Sequence, residues 1–224
     1  MVPRGTPLRG QGRRQPRADA TRRDLVDAAR QIFARDGFDL ARLEDIAADA
    51  GKTRGAFYAN FKDKEDVFFA IFEEDLERDA QAIREKLSAV PSPEERLEAL
   101  SEYLFGLLQD QRRMLLTLEF KLYAIRHPHR KERLTELRAD MCVRCAEVRI
   151  NDLLPQFNLA DLQCQHRQAA IVGVILDGLT LNRLFDPSAL GPEQQMALIR
   201  AGLRIALEPA GESKQDASRL PRVR

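Results

Sequence analysis

The sequence predicts an all-α protein of about nine helices. Apolar residues recur at the three- and four-residue spacing of helices along most of the 224 residues, and prolines separate the periodic segments. No stretch alternates like a β-strand over a useful length, and no internal repeat of the roughly 20–50 residues typical of repeat proteins is visible. Apolar residues make up 44% of the chain, which is enough for a hydrophobic core.

Composition excludes several classes of protein. No apolar run approaches the roughly 20 residues that span a bilayer, and the Arg-rich N-terminus lacks the apolar segment of a secretory signal. The three cysteines, an odd number in a chain of this length, do not form a disulfide framework. These features predict a soluble cytoplasmic protein with no membrane partner.

Residues 1–18 are predicted to be a flexible basic arm, because they are rich in Gly, Pro and Arg and lack apolar periodicity. They contain five Arg and no acid, and residues 1–64 carry 14 Lys and Arg against 9 Asp and Glu, a net charge of +5. Residues 65–224 carry 22 against 26, a net charge of −4. This asymmetry favours a polyanionic partner for the front of the chain, although charge alone equally fits a solvated arm. The letters VPRG also resemble part of a protease-cleavage linker, so the first residues are either native or a linker remnant.

The first helix is predicted over 21–37. Thr21 and Asp24 resemble a capping box at its start, and Gly37 is placed to end it with a left-handed residue. Its apolar face consists of Leu25, Ala28, Ala29, Ile32 and Phe33.

Two short helices joined by a glycine turn follow. The apolar residues of the first are Leu43, Ile46, Ala47 and Ala50. Gly51 ends that helix, and the next one starts at Thr53, a favourable N-cap residue, with Phe57 and Phe61 on one face. This arrangement matches the helix-turn-helix plan, in which the second helix enters the major groove of DNA.

The outward face of the second short helix carries residue types that suit DNA. Arg54 can donate two hydrogen bonds to a guanine edge, and the small Gly55 and Ala56 let the backbone approach the bases closely. Gly55 inside a helix costs about 1 kcal/mol relative to Ala, which a purely structural face would not need. The alternative is a three-helix core with a basic exposed face. The predicted DNA-contacting residues are Arg42, Lys52, Thr53, Arg54, Gly55, Ala56, Tyr58, Asn60 and Lys64.

The stretch IAADAGKTRGAFYANFKDKEDVF resembles the DNA-binding signature of TetR-type transcriptional regulators, and the resemblance covers about residues 21–76. The matching residues are Ile46, Ala47, Ala50, Gly51, Thr53, Gly55, Phe57, Tyr58, Phe61, Lys64 and Val67. The resemblance implies a homodimer that binds a pseudo-palindromic operator and usually represses transcription. It also implies a ligand pocket in the C-terminal body, coupled to the DNA-binding domain by a long fourth helix, where a small molecule triggers DNA release.

Three residues depart from the family pattern. Arg42 stands where Ser or Thr usually caps the second helix, so either Asp39 caps that helix or Arg42 contacts a phosphate instead. Lys52 replaces an apolar turn residue, and its stem is expected to lie over the core with the ammonium within reach of a phosphate. Asn60 stands where His or Tyr is common.

The remaining chain is predicted to be helical as well. A helix of roughly 25 residues follows Phe61, with Asp63 and Asp66 as capping residues, and nothing breaks it before Pro91. Five more helices are predicted at about 93–110, 113–126, 129–154, 161–185 and 192–207. The predicted domains are the arm at 1–18, a helix-turn-helix DNA-binding domain at 19–64, a ligand-binding and dimerisation domain at 65–209, and a flexible tail at 210–224.

The predicted helix that contains residues 167–185 has a broad apolar face, and its Gly173 and Gly178 allow close helix approach. Together, the last two predicted helices suit a dimer bundle or an ordinary core pair. The resemblance implies that they form a four-helix dimer interface. The candidate pocket residues are Leu104, Leu108, Leu118, Phe120, Leu122, Met141, Asp177 and Asn182. The apolar ones fit a plain core better than a ligand contact, and the two polar ones suit a pocket and a neighbouring helix end equally well. Their overall apolarity favours an apolar or aromatic small-molecule effector.

Metal-binding and catalytic signals are weak. Cys142 and Cys145 form a CxxC on a predicted helix, but no second ligand pair completes a metal site, so we expect structural cysteines or at most a thiol-based sensor. No nucleophile motif, phosphate loop or His–carboxylate pair indicates an enzyme, and no cofactor is expected. The alternatives to a DNA-binding regulator are an all-α enzyme and a helical small-molecule or metal/thiol sensor whose basic N-terminus is not a specific DNA reader.

Overall fold

The computed structural model describes residues 14–130 and 162–207. They form eight α-helices: α1 Arg14–Leu40, α2 Leu43–Asp49, α3 Arg54–Tyr58, α4 Lys64–Ser88, α5 Pro93–Leu107, α6 Gln111–Arg126, α7 Leu162–Phe185 and α8 Pro192–Leu207. A 3-10 turn follows α6 at Pro128–Arg130. No β-strand occurs within these two ranges, which confirms the predicted all-α class. Each helix described is too short or too polar to span a membrane.

The chain divides into two compact units. The first consists of residues 1–78 and 112–137, and the second of residues 79–111 and 138–224. Within the described residues, α1, α2, α3, α6 and the first part of α4 belong to the first unit. The remainder of α4 belongs to the second unit together with α5, α7 and α8.

Aromatic side chains form the centre of the first unit. The ring of Phe38 lies 4.8 Å from that of Phe68 and 4.6 Å from that of Tyr123, measured between centroids. Phe33 packs edge-on against Phe68 at 5.0 Å. Helices α1, α4 and α6 each contribute at least one of these rings, so the small helix-turn-helix core continues into α4 and α6. The prediction of a domain boundary between residues 64 and 65 is therefore not reflected in how this core is packed.

Helix α1 begins at Arg14, so the prediction that residues 14–18 belong to an unstructured arm was wrong, as was the capping box at Thr21. Pro16 is compatible with this early start, because the first N–H groups of a helix have no intrahelical acceptor. Gly37 interrupts the helix with φ 77° and ψ 165°, as the sequence predicts for the end of the regular helix. Residues 38–40 then form one further helical turn before α2.

Side chains cap the N-termini of α4 and α5, and the sequence predicts the cap of α4 at Asp63 and Asp66. The Asp63 carboxylate accepts a hydrogen bond from the Asp66 N–H at 2.8 Å, and the Asp66 carboxylate accepts one from the Lys62 N–H at 3.0 Å. The Ser92 hydroxyl oxygen accepts a bond from the Glu95 N–H at 3.2 Å. These caps satisfy N–H groups that the helices leave without intrahelical acceptors.

The second unit packs α8 closely against α5 and α7. Arg200 of α8 makes a two-pronged ion pair with Glu98 of α5. A Cβ added to Gly202 of α8 would lie 2.7 Å from the Cγ1 atom of Ile175 in α7, so this glycine permits the close approach of the two helices.

One predicted helix starts differently in the structure. The sequence predicts an α-helix from residue 129, but Pro128–Arg130 forms a 3-10 turn. The rest of that predicted helix, including Met141, Cys142 and Cys145, lies outside the described residues.

Candidate nucleic-acid interface

The α2–turn–α3 segment has the backbone of a helix-turn-helix. Gly51 ends α2 with φ 64°, a conformation that favours glycine, and no atom lies within 4 Å of a Cβ placed there. The N–H groups of Gly51 and Lys52 donate to the carbonyls of Ala48 and Ala47 at 2.9 and 2.8 Å. These bonds close the end of α2 and set the direction in which the chain enters α3.

Thr53 caps α3 as predicted. Its backbone is extended, and its hydroxyl oxygen accepts a hydrogen bond from the Ala56 N–H at 3.1 Å. A cap of this kind stabilises a helix by about 1 kcal/mol, which matters for a helix of only five residues.

The inner face of α3 is anchored by two phenylalanines. Phe57 and Phe61 are both buried, and their ring centroids lie 5.7 Å apart. The Arg22 guanidinium of α1 lies 4.4 Å above the Phe61 ring and donates a long bond of 3.5 Å to the Asn60 carbonyl. Sequence reasoning finds the two rings from their spacing, but it misses Arg22, which is nearly forty residues away.

The outer face of α3 presents Arg54, Gly55 and Tyr58, which are all exposed. A Cβ placed on Gly55 would meet only the Thr53 hydroxyl oxygen, at an ordinary contact distance of 3.8 Å. Nothing in the described structure therefore requires glycine at this position, although glycine weakens a helix. The absence of a side chain leaves room next to the backbone for an external partner.

Arg54 is held by two neighbours. Its Nη1 lies 3.1 Å from a Glu44 carboxylate oxygen of α2, and its Nη2 lies 3.5 Å from the Tyr58 hydroxyl. The hydrogen bond with Tyr58, followed by the charges of Tyr58 and Glu44, raises the pKa of Arg54 above its usual value. The guanidinium is thus charged and oriented at the exposed edge of α3.

The other residues predicted to contact phosphates differ in how many contacts their side chains make within the protein. Lys52 forms an ion pair with Asp24 of α1 at 2.8 Å, and the Asn60 amide donates to the Ala56 carbonyl at 2.8 Å. Arg42 is exposed and occupies the N-cap position of α2 without a side-chain cap. The alternative that Asp39 caps α2 was wrong, because α2 begins at Leu43 and the Asp39 carboxylate pairs with Arg126 at 3.2 Å.

Lys64 has an unforeseen role inside the first unit. Its ammonium donates to the carbonyls of Phe38, Asp39 and Ala41 at 2.6, 3.2 and 3.1 Å. Partial burial lowers the pKa of Lys64. Because its three N–H groups already have acceptors, a phosphate would have to displace one of them, and the predicted phosphate contact stays a prediction.

Helix α6 also contacts the segment around Phe38 whose carbonyls Lys64 binds. The Glu119 carboxylate accepts a hydrogen bond from the Phe38 N–H at 3.0 Å, and a Cβ on Gly37 would lie 3.4 Å from its oxygens. Arg126, near the end of α6, pairs with Asp39. No local pattern predicts these contacts, since their partners are more than eighty residues apart.

The predicted pocket residues do not gather within one unit. Leu104 and Leu108 are buried in the second unit, where Asp177 is partly buried, and the exposed Asn182 donates its amide to the Gly178 carbonyl at 3.1 Å. The other three described candidates, Leu118, Phe120 and Leu122, lie on α6 in the first unit. Phe120 packs against Phe72 with ring centroids 4.3 Å apart, and Leu122 is exposed. The ligand-pocket assignment stays a prediction. Within residues 14–130 and 162–207, no group of three metal-ligating side chains occurs.

Two family models match the chain. Residues 25–71 match the model of bacterial regulatory proteins of the tetR family, and residues 93–208 match the C-terminal region of BetI-type transcriptional repressors. The second match alone covers more than half of the chain.

Similar sequences are regulators too. The HTH-type transcriptional repressor Rv1474c of Mycobacterium tuberculosis is 43% identical over 72 residues, which are 32% of this chain and 38% of that protein. The HTH-type transcriptional regulator AcrR of Shigella flexneri is 34% identical over 114 residues, which are 46% of this chain and 49% of that protein. The chain therefore spans less than half the length of these two relatives.

Solved structures share the fold over most of the chain. A TetR family transcription regulator from Marinobacter aquaeolei superposes with a TM-score of 0.61 at 18% identity, covering 86% of this chain and 96% of that one. FadR from Bacillus subtilis, solved in complex with stearoyl-CoA, gives a TM-score of 0.59 at 18% identity, covering 83% and 97%. The helix-turn-helix geometry, the two model matches and this shared fold agree, and the chain belongs to the TetR family of bacterial regulatory proteins.

Proposed function

We propose that this protein is a ligand-responsive transcriptional repressor, which binds a pseudo-palindromic operator as a homodimer and releases it when a small molecule binds the C-terminal domain. The observation that carries the proposal is the outer face of α3. There an oriented Arg54, an exposed Tyr58 and a Gly55 with open space above it stand on a rigidly capped helix. The proposed function is binding rather than catalysis, and its place is the cytoplasm, where operator DNA is found.

In the proposed complex, α3 lies in the major groove. Arg54 hydrogen-bonds a guanine edge, and the bare backbone at Gly55 allows the helix to approach the bases. The hydroxyls of Thr53 and Tyr58 and the exposed Arg42 contact phosphates, which fix the position of the helix. Lys52 and Asn60 have partners within the protein. They contribute to DNA binding only if a phosphate displaces those partners.

The proposed dimer uses α7 and α8. The exposed residues Val174, Gly178, Leu181 and Phe185 recur at spacings of four, three and four along α7 and form one stripe. On α8, Leu198 and Ile205 are exposed at a spacing of seven. An apolar stripe on each of two helices is what a four-helix interface between two copies needs to bury.

The proposed effector is an apolar or aromatic small molecule. Support comes from Leu104 and Leu108, the two apolar candidates that are buried in the second unit. The Bacillus subtilis FadR structure contains stearoyl-CoA, but its low identity to this chain shows the fold alone. Long-chain acyl-CoA carries an apolar chain of the kind proposed for the effector, and it is the first compound to test, with release of DNA as the readout.

The experiment that tests the proposed function compares the wild type with the variant R54A/Y58A in gel-shift titrations at matched salt. The titrations use a DNA duplex that was enriched from a random library by binding to the wild type. Loss of the Arg54 base contact alone is expected to weaken binding about tenfold to a hundredfold. R84A, which removes an exposed arginine of α4 in the second unit, is the matched control and should bind like the wild type. Unchanged operator affinity of R54A/Y58A with an intact dimer would contradict the proposal.

A further inference from the structure

Glu44 places a negative charge beside the arginine that is proposed to read the operator. It is the second residue of α2, and its carboxylate lies 3.1 Å from Arg54 Nη1. A carboxylate on a DNA-facing surface is unexpected, because it repels the phosphate backbone that supplies most of the affinity. A role for Glu44 in DNA recognition rests on the proposed function.

Folding stability does not explain this ion pair. The Arg54 and Glu44 side chains are 64% and 57% exposed, and ion pairs in such surroundings contribute little to stability. An acid in the first turn of α2 does favour the helix dipole, but Asp45 occupies the next position and supplies the same effect. What distinguishes Glu44 from Asp45 is its contact with Arg54.

The contact acts on the orientation of Arg54. Glu44 holds one terminal nitrogen, and Tyr58 lies 3.5 Å from the other and presents its ring 5.6 Å below the guanidinium. An arginine restrained on two sides loses less side-chain entropy when it binds a base in the fixed two-pronged geometry.

The contact also acts on the choice of acceptor. A phosphate bound to Arg54 would bring its charge close to the Glu44 carboxylate, and the two anions would repel each other at short range. The N7 and O6 acceptors of guanine are uncharged and do not incur this repulsion. We propose that Glu44 is a specificity-determining residue, which orients Arg54 and keeps it on guanine rather than on phosphate.

The variant E44Q tests this proposal, because it keeps the side-chain shape and removes the charge. The base preferences of wild type, R54A and E44Q are first measured by selection from a library of random duplexes. The operator position at which the wild type prefers guanine and R54A does not is taken as the position that Arg54 contacts. We expect E44Q to bind non-specific duplex more tightly than the wild type and to prefer guanine at that position by at least about threefold less. In the R54A background, E44Q should leave the base preference at that position unchanged.

D45N is the matched control, because it removes one charge from the same helical turn without a contact to Arg54. It should raise non-specific affinity to some extent and leave the guanine preference as in the wild type. If E44Q changes the guanine preference no more than D45N does, Glu44 is a general surface charge and the proposal is overturned. If the wild type itself selects no sequence, the proposed function fails first, and this result is distinct from a selective wild type with an equally selective E44Q.

Discussion

Lys64 places one ammonium group against three backbone carbonyls where α1 passes into α2. Two of these carbonyls belong to the last turn of α1 after the break at Gly37 and the third belongs to Ala41, where the helix has ended, so helical hydrogen bonds do not satisfy all of them. The same ammonium lies 4.5 Å above the Phe38 ring, which adds a cation–π contact. Lys64 therefore helps to fix the turn that connects the first helix to the helix-turn-helix.

Replacing this side chain by Met is expected to destabilise the protein. Lys64→Met keeps much of the apolar stem but leaves two partly buried carbonyls, of Phe38 and Ala41, and the exposed carbonyl of Asp39 without their donor. This loss should lower the free energy of unfolding by about 1–3 kcal/mol. Urea denaturation at neutral pH measures this change. Lys62→Met, which alters an exposed lysine two residues earlier, should change stability by less than about 0.5 kcal/mol. Equal stability of the two variants would remove the structural role assigned to Lys64.

Single residues show where sequence reasoning succeeds and where it stops. The Thr53 and Asp63 caps are predictable, because donor and acceptor lie three residues apart in the chain. The partners of Lys64 and Arg54 are set by tertiary packing, and no short pattern contains them. The match of Lys64 to the family signature does not distinguish a phosphate ligand from a lysine that binds the carbonyls of the turn, because a lysine suits both roles.

At the scale of elements, α6 contacts the turn between α1 and α2 at three places. Glu119 accepts the Phe38 N–H, Tyr123 packs on the Phe38 ring, and Arg126 pairs with Asp39. The Phe38 N–H follows a residue with positive φ and cannot donate within a regular helix, so the carboxylate supplies an acceptor that the backbone lacks. Helix α6 thereby becomes part of the scaffold on which α2 and α3 stand.

The variant E119A should loosen this scaffold. With its charged acceptor gone, the Phe38 amide is expected to exchange its hydrogen about fivefold faster or more, measured by native-state hydrogen exchange. E119Q retains a side-chain oxygen at the same position and should show a smaller acceleration. An unchanged Phe38 exchange rate in E119A would mean that this contact does not hold the turn.

The ends of a helix can be predicted from the sequence when the residues that set them lie close to those ends in the chain. Helix α4 begins and ends within a residue or two of its prediction, because capping residues and prolines bound it in the sequence. The sequence predicts the start of α1 seven residues late, because residues 1–18 are rich in Gly, Pro and Arg and lack apolar periodicity, although arginine and alanine favour helices. Composition gives only the average tendency of a segment to form a helix. A helix that forms readily in the neighbouring residues can extend into that segment.

At the scale of the whole molecule, the proposed dimer depends on the exposed stripe of α7. Val174 is 70% exposed and Phe185 87%, so neither contributes much to the core of its own chain. The sequence predicts that this helix has a broad apolar face. Which residues of the face stay exposed depends on how α8 packs against α7, and only the structure gives this.

Replacing Val174 by Glu should therefore separate the subunits without unfolding them. A charge buried without a partner in the interface is strongly unfavourable, so V174E is expected to elute as a monomer in light-scattering chromatography and to lose operator binding. I125E introduces the same charge at a residue of α6 that is 75% exposed and should remain a dimer. A dimeric V174E would place the interface elsewhere.

The central claim, that the outer face of α3 reads an operator as part of a dimer, is tested most directly by footprinting. The wild type is bound to the duplex that it selects from a random library, and the protected nucleotides are mapped beside those of R54A/Y58A. We expect two protected half-sites related by two-fold symmetry, with their centres separated by whole turns of the double helix, and no protection by the variant at the same concentration. Protection without a preferred sequence, or the same footprint from wild type and variant, would contradict this claim.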